Sequence, residues 1–245
     1  MAAKTKPRTT RRSSPSPYRE SDVIANQVFI GAAWSTVRPK YERIRKDFRK
    51  KYPLSFVIVG RTTSQDAEDL LQIIRSAIDS SSYAIFDATT GNANVSLEFG
   101  YAEAKAIPRA LYLSSHAAGR KTKETAIIAD LAGKVRNQYA QEAALKRSLS
   151  SFARDHAYTK RFERFVSQGF RRHKKGSRRR PRSLALKIIH CLDGVREPRR
   201  EDIVQNVLAG PGSYAREEVD DMIGRLHTAG LIRSVQGRYS TVRIV

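Results

Sequence analysis

The chain has 245 residues, 40% of them apolar, and carries 46 Lys and Arg against 24 Asp and Glu, a formal net charge of +22. That length and apolar content allow one large domain or two small ones with real cores, and the charge predicts attraction to nucleic acid or another polyanion unless it is spread over solvated faces. A single cysteine, Cys191, excludes an internal disulfide and points to a reducing cytoplasm, and no apolar run approaches the roughly 20 residues that cross a bilayer, so no membrane is expected.

Residues 1–25 are rich in Lys, Arg, Ser, Thr and Pro without apolar periodicity, and read as a disordered basic tail. Because no hydrophobic stretch follows the basic start, a secretory signal is not expected. Residues 26–115 alternate strand and helix patterns. Strands are predicted over 28–30, 54–59, 83–86 and 110–113, the second containing the continuous apolar run Phe56-Val57-Ile58-Val59 of a buried parallel strand. Helices are predicted over 38–51, with Tyr41, Ile44 and Phe48 on one face, over 65–80 with Leu70, Leu71, Ile74 and Ile78 inward, and over 94–106, ended by Pro108. Such alternation with short loops argues for an α/β fold, a Rossmann-like (flavodoxin-like) parallel sheet covered on both faces.

Residues 116–172 read as a helical, basic extension, and periodicity leaves open whether it closes over the sheet edge or forms an arm for a partner. Residues 173–182 are a linker by composition. The surrounding basic run, which includes Arg171, Arg172, Lys174, Lys175, Arg178, Arg179 and Arg180, is either a set of phosphate contacts or a solvated hinge. Residues 183–245 read as a winged helix-turn-helix domain: helices over 184–192, from 199 onward and over 214–229, then a two-stranded wing turning at Gln236-Gly237. The third of these helices carries Glu217, Glu218, Asp220 and Asp221, which would repel a phosphate backbone. Nucleic-acid contact is therefore expected through Arg196, Arg199 and Arg200, the wing residues Arg233, Arg238 and Arg243, and the basic linker, with docking on a protein as the rival.

The stretch from Asp87 to Ala102 carries the chemistry. An apolar strand ends in Asp87, a Gly, Asn and Thr loop follows, and a helix opens with Glu98 in its first turns. In open α/β sheets ligands bind just past the carboxyl ends of the strands, so both carboxylates are expected at one crevice, with Gly100 allowing close approach. The pattern D-x-x-x-x-N-x-N-V-x-x-E-x-G-x-A resembles that shared by nucleoside 2-deoxyribosyltransferase-like proteins and the TIR-like nucleotide-binding domains of bacterial defence systems. The resemblance covers residues 26–115, while the first loop, residues 31–35, departs from both branches. It implies that Glu98 attacks or stabilises the sugar carbon of an N-glycosidic bond, and that Asp87, Asn92 and Asn94 position the ligand. Gly31, Ala32, Trp34 and Ser35 in the first loop, and Arg61 past the second strand, are the further expected nucleotide contacts. The same residues have an architectural reading, in which Asp87 opens an Asx-type turn, Asn94 caps its helix and Glu98 complements the helix dipole.

Five dispersed His residues offer no zinc site, and no phosphate loop of the G-x-x-x-x-G-K-[ST] type is present. No cofactor is expected, NAD or a deoxynucleotide being the substrate. A deoxyribosyltransferase-like domain before a winged helix resembles the effectors of retron defence systems. That resemblance implies docking on a nucleic acid or nucleoprotein complex, such as a reverse transcriptase with its DNA or RNA, restraint of a toxic nucleotide-degrading activity, and an oligomer. The alternative is a nucleotide-sensing winged-helix transcription regulator without catalysis.

Overall fold

A computed structural model describes residues 23–60, 67–115, 136–170, 179–193 and 197–243. Its centre is a five-stranded, fully parallel sheet in the order β2-β1-β3-β4-β5, made of β1 (Ile24–Ala32), β2 (Ser55–Val57), β3 (Ser81–Asp87), β4 (Arg109–Ser114) and β5 (Arg136–Tyr139). This is the doubly wound order in which the chain first runs outward to β2 and then returns past β1 to β3, so the topological switch lies between β1 and β3. There Gly31 is in register with Phe86 and Ala32 with Asp87.

Strand alternation sends successive side chains to opposite faces, and each face buries its own apolar set. On one face Val28, Ile30 and Ile85 meet Tyr41, Ile44 and Phe48 of α1 (Arg38–Arg49) and Leu145 and Leu149 of α4 (Glu142–Asp155). On the other face Phe29, Ala84 and Phe86 meet Ile78 of α2 (Ala67–Asp79) and Val95, Phe99 and Ala102 of α3 (Ala93–Ala104). Both α1 and α3 begin just beyond strand C-termini, so their N-terminal ends border the same rim of the sheet.

The segment 116–172, read from sequence as helical, contributes an edge strand as well as helices. The run Arg136-Asn137-Gln138-Tyr139 has little apolar alternation, because one side of an edge strand faces solvent, and only the burial of Tyr139 marks it as part of the sheet. After α4 comes α5 (Ala157–Gly169), and α6 (Arg179–Cys191) starts inside the run read as linker. Two further helices, α7 (Arg200–Ala209) and α8 (Arg216–Thr228), precede an antiparallel hairpin of β6 (Ile232–Val235) and β7 (Arg238–Thr241). Its turn places Gln236 at φ 49° and Gly237 at φ 73°, the doubly left-handed pair of a tight two-residue hairpin.

This C-terminal part shares its core with the sheet. Leu184, Ile188, Ile203, Val219 and Ile223 belong to the same contiguous buried cluster as Val28 and Tyr41. The Tyr158 hydroxyl of α5 donates to Leu231 O at 2.8 Å, and Ala25 N of β1 donates to Val242 O at 2.9 Å. Among the described residues, no helix is long and apolar enough to cross a membrane.

Candidate functional site

Glu98 is positioned by the register of α3. Val95, Phe99 and Ala102 bury one stripe of this helix against the sheet, which swings Glu98 to the margin of that stripe, beside the end of β1. A Cβ built on Gly31 would stand 2.6 Å from Glu98 Oε2 and 2.7 Å from Phe86 Cδ1. Only glycine lets the carboxylate lie against the β1 backbone at the switch point. Among the described residues Glu98 has no hydrogen-bond donor or cation as a partner, and burial alone pushes its pKa up to about 7. The carboxylate is thus half-buried without neutralisation by any described residue, and an acid perturbed by desolvation at a strand end is a candidate functional group.

This contact gives a direct test. Gly31→Ala is expected to displace Glu98 or Phe86 at a cost of about 1–3 kcal/mol, seen as a lower urea midpoint. Combining it with Glu98→Ala should recover part of that loss, because one of the two clashes is removed.

Asp87 is oriented differently from the sequence expectation. It shares strand parity with Tyr83 and Ile85, so its side chain enters the α1 face of the sheet, whereas Glu98 lies on the α3 face. The expectation that the two carboxylates meet in one crevice is therefore corrected. Asp87 is fully buried, and its oxygens accept from Tyr139 Oη at 2.8 Å, Tyr41 Oη at 3.0 Å, Thr89 N at 3.0 Å and, in a very short contact, Thr89 Oγ1. Burial raises its pKa although each of these donors favours the anion. Thr89 Oγ1 in turn accepts from Ser114 N at 2.9 Å. Asp87 thus forms an Asx-type turn and ties β3, β4, β5 and α1 together at the base of the loop leading to α3.

The loop residues divide as follows. Asn92, rather than Asn94, caps α3, its side chain accepting from Asn94 N at 2.9 Å, while the Asn94 side chain is exposed. Thr90 Oγ1 is buried in this loop without a hydrogen-bond partner among the described residues. Gly100 lies across the helix from Glu98, and a Cβ there would meet nothing within 4 Å among the described residues, so no backbone element of those residues comes close to it. In the first loop Ala32 and Trp34 are half-buried and Ser35 is exposed. Arg61 lies outside the described residues.

Sequence reading passed over Arg38. Its guanidinium carbon sits 4.7 Å above the Trp34 ring, its Nη2 packs where a Gly60 Cβ would be, at 2.8 Å, and its Nε donates to Glu42 at 2.7 Å. A cation at the positive end of a helix, with no acid in the first turn of α1, is unfavourable for the dipole. That mismatch, directly after the first loop and before Pro39, was the available signal. Arg38 stands at the same rim of the sheet as the α3 N-terminus, but its charge is matched by Glu42, which leaves the α3 N-terminus as the feature there suited to a phosphate.

The expected nucleic-acid contacts also divide. Arg171, Arg172, Lys174, Lys175, Arg178 and Arg196 lie outside the described residues. Arg179 and Arg199 are exposed. Arg180 is bound by Glu218 at 2.8 Å and Arg200 by Asp220 at 2.6 Å. Arg233 donates to Ser240 Oγ at 2.9 Å and faces Glu197 at 3.8 Å, and Arg238 reaches Glu197 O at 3.5 Å. The acids of α8 are thus largely matched by arginines, and Arg180 and Arg200 are engaged rather than free. No protein-family model matches the chain, and a search of curated proteins finds no match.

Proposed function

We propose that the chain is an effector of the antiphage-defence type that binds a nucleotide, NAD or a deoxynucleotide, at the β1/β3 rim and cleaves its N-glycosidic bond, docked through its basic C-terminal region on nucleic acid or a nucleoprotein partner. The reading is supported by one observation, the Glu98 carboxylate pressed against Gly31 at the switch point of the sheet, with no partner among the described residues. Breaking a sugar–base bond builds positive charge on the sugar carbon. A carboxylate with no protein cation to neutralise it either stabilises that charge or forms an ester that water then hydrolyses. The N-terminus of α3 favours the phosphates of the ligand.

Asp87, turned to the other face, has no reach to a leaving base. NAD suits such a site better than a deoxynucleotide, because the pyridinium of NAD departs as neutral nicotinamide without needing a proton, whereas a neutral base needs one. Support for a winged helix comes from α6, α7 and α8 followed by the tight β6–β7 hairpin.

The test is chromatographic detection of free base after incubation with NAD or with deoxynucleotides, with and without added nucleic acid. Nicotinamide release by the wild type that is lost in Glu98→Gln supports the proposal. Base release equal in the two proteins refutes it. Nucleotide binding without turnover would instead favour the sensing regulator.

A further inference from the structure

The C-terminal region has two basic faces of different character. Along α8 the positive charge is cancelled locally. Arg216 pairs with Glu201, Arg225 with Asp221 at 2.7 Å, Arg200 with Asp220 at 2.6 Å and Arg180 with Glu218 at 2.8 Å. Elsewhere a cavity of about 440 Å³ opens between α1, α6 and α7, lined by Lys46, Arg49, Lys50, Ser183, Lys187 and Asn206 among others, with no Asp or Glu in its lining.

Some of this charge has a local explanation, since Lys46 and Arg49 stand in the last turn of α1, where cations complement the helix dipole. Lys187 does not. It lies within α6, where its Nζ donates to Pro211 O and sits 4.9 Å from the Tyr214 ring centroid. Arg49 donates to His190 O at 3.1 Å and pairs with Asp193 at 3.5 Å, and so fixes α1 against the end of α6, leaving Lys46 and Lys50 as the cations that carry the groove. The side chains of Lys46 and Lys50 make no hydrogen bond or ion pair among the described residues.

We infer that the groove between α1, α6 and α7 takes the sugar–phosphate backbone of a nucleic acid strand. This inference rests on the docking half of the proposed function and moves the contact away from α8. The chemistry is that of backbone binding: the ammonium groups of Lys46 and Lys50 for phosphate oxygens, with Ser183 and Asn206 as neutral donors, and no Asp or Glu in the lining to repel them. A concave wall favours a strand over a membrane surface, which would meet a flat basic face flanked by exposed apolar side chains.

Anisotropy of a labelled 30-nucleotide strand, DNA in one arm and RNA in the other, measured against NaCl concentration with the full chain, tests the assignment. Lys46→Ala/Lys50→Ala should weaken binding roughly tenfold or more near 0.1 M salt and flatten the log–log salt slope by about 1.4, the value for two lost phosphate contacts on a single strand. Arg216→Ala/Arg225→Ala on α8 should leave the slope unchanged. Both lysines are exposed, and unchanged thermal midpoints will verify folding. Glu98→Gln should bind as the wild type does, which separates this inference from turnover. The assignment is overturned if the α8 pair carries the slope and the groove pair does not. It is equally overturned if the groove pair matters only for vesicles of phosphatidylglycerol and neither strand binds.

Discussion

Glu98→Gln is expected to lower base release by at least about a thousandfold, because the substitution removes the charge that meets the sugar cation while keeping the shape of the side chain. The same change should stabilise the fold at alkaline pH. Burial raises the pKa of Glu98 from 4.5 to about 7, so the folded chain holds this proton more tightly than the unfolded chain does. The stability linked to the group is full below about pH 4.5 and is lost as pH rises through 7, where ionisation in the crevice costs about 2–3 kcal/mol. Glutamine cannot ionise and escapes that cost. Thermal midpoints of the two proteins should therefore coincide near pH 4.5 and separate by roughly 5 °C or more at pH 8, with the variant higher. A gain in stability coupled to loss of activity is the mark of a residue kept for chemistry rather than for packing. A variant that is inactive and no more stable at pH 8 would place Glu98 in the architecture instead.

Asp87→Ala is expected to be the most damaging single change to stability, at about 3–4 kcal/mol. It would strand the hydroxyls of Tyr41 and Tyr139 and both donors of Thr89 in a buried site, and it would untie the loop between β3 and α3 from β4 and β5. Asp87→Asn keeps one acceptor oxygen and should cost clearly less. Urea unfolding followed by circular dichroism reads both. The asparagine variant should keep most of its turnover, since Asp87 acts through the loop rather than on the ligand. A thousandfold loss in that variant at unchanged stability would return Asp87 to the reacting atoms.

The central strands β1 and β3 were legible because a buried parallel strand needs a continuous apolar run, and Val28-Phe29-Ile30 and Ala84-Ile85-Phe86 are such runs. Helices α1 and α2 were legible from the spacing of Tyr41, Ile44 and Phe48 and of Ile74 and Ile78. The edge strand β5 was not, since Arg136-Asn137-Gln138 pays no compositional tribute to the sheet it joins.

The site was half legible. Sequence proximity put Asp87 and Glu98 near one strand end. Whether they share a face depends on strand parity together with which side of the sheet α3 crosses, and that is set by the strand order β2-β1-β3, not by local residues. The Arg38–Trp34 stack and the pairing of α8 acids with Arg180 and Arg200 depend on contacts from distant parts of the chain, whereas composition registers charge without its partners.

The pH dependence of nicotinamide release from NAD bears most directly on the role of Glu98. The active form is the anion, so the rate at limiting substrate should rise as a single ionisation centred near pH 7, falling about tenfold per pH unit on the acid side, and should vanish at every pH in Glu98→Gln. A flat profile, or one that survives unchanged in the glutamine variant, would contradict the assignment of Glu98 as the group that meets the sugar.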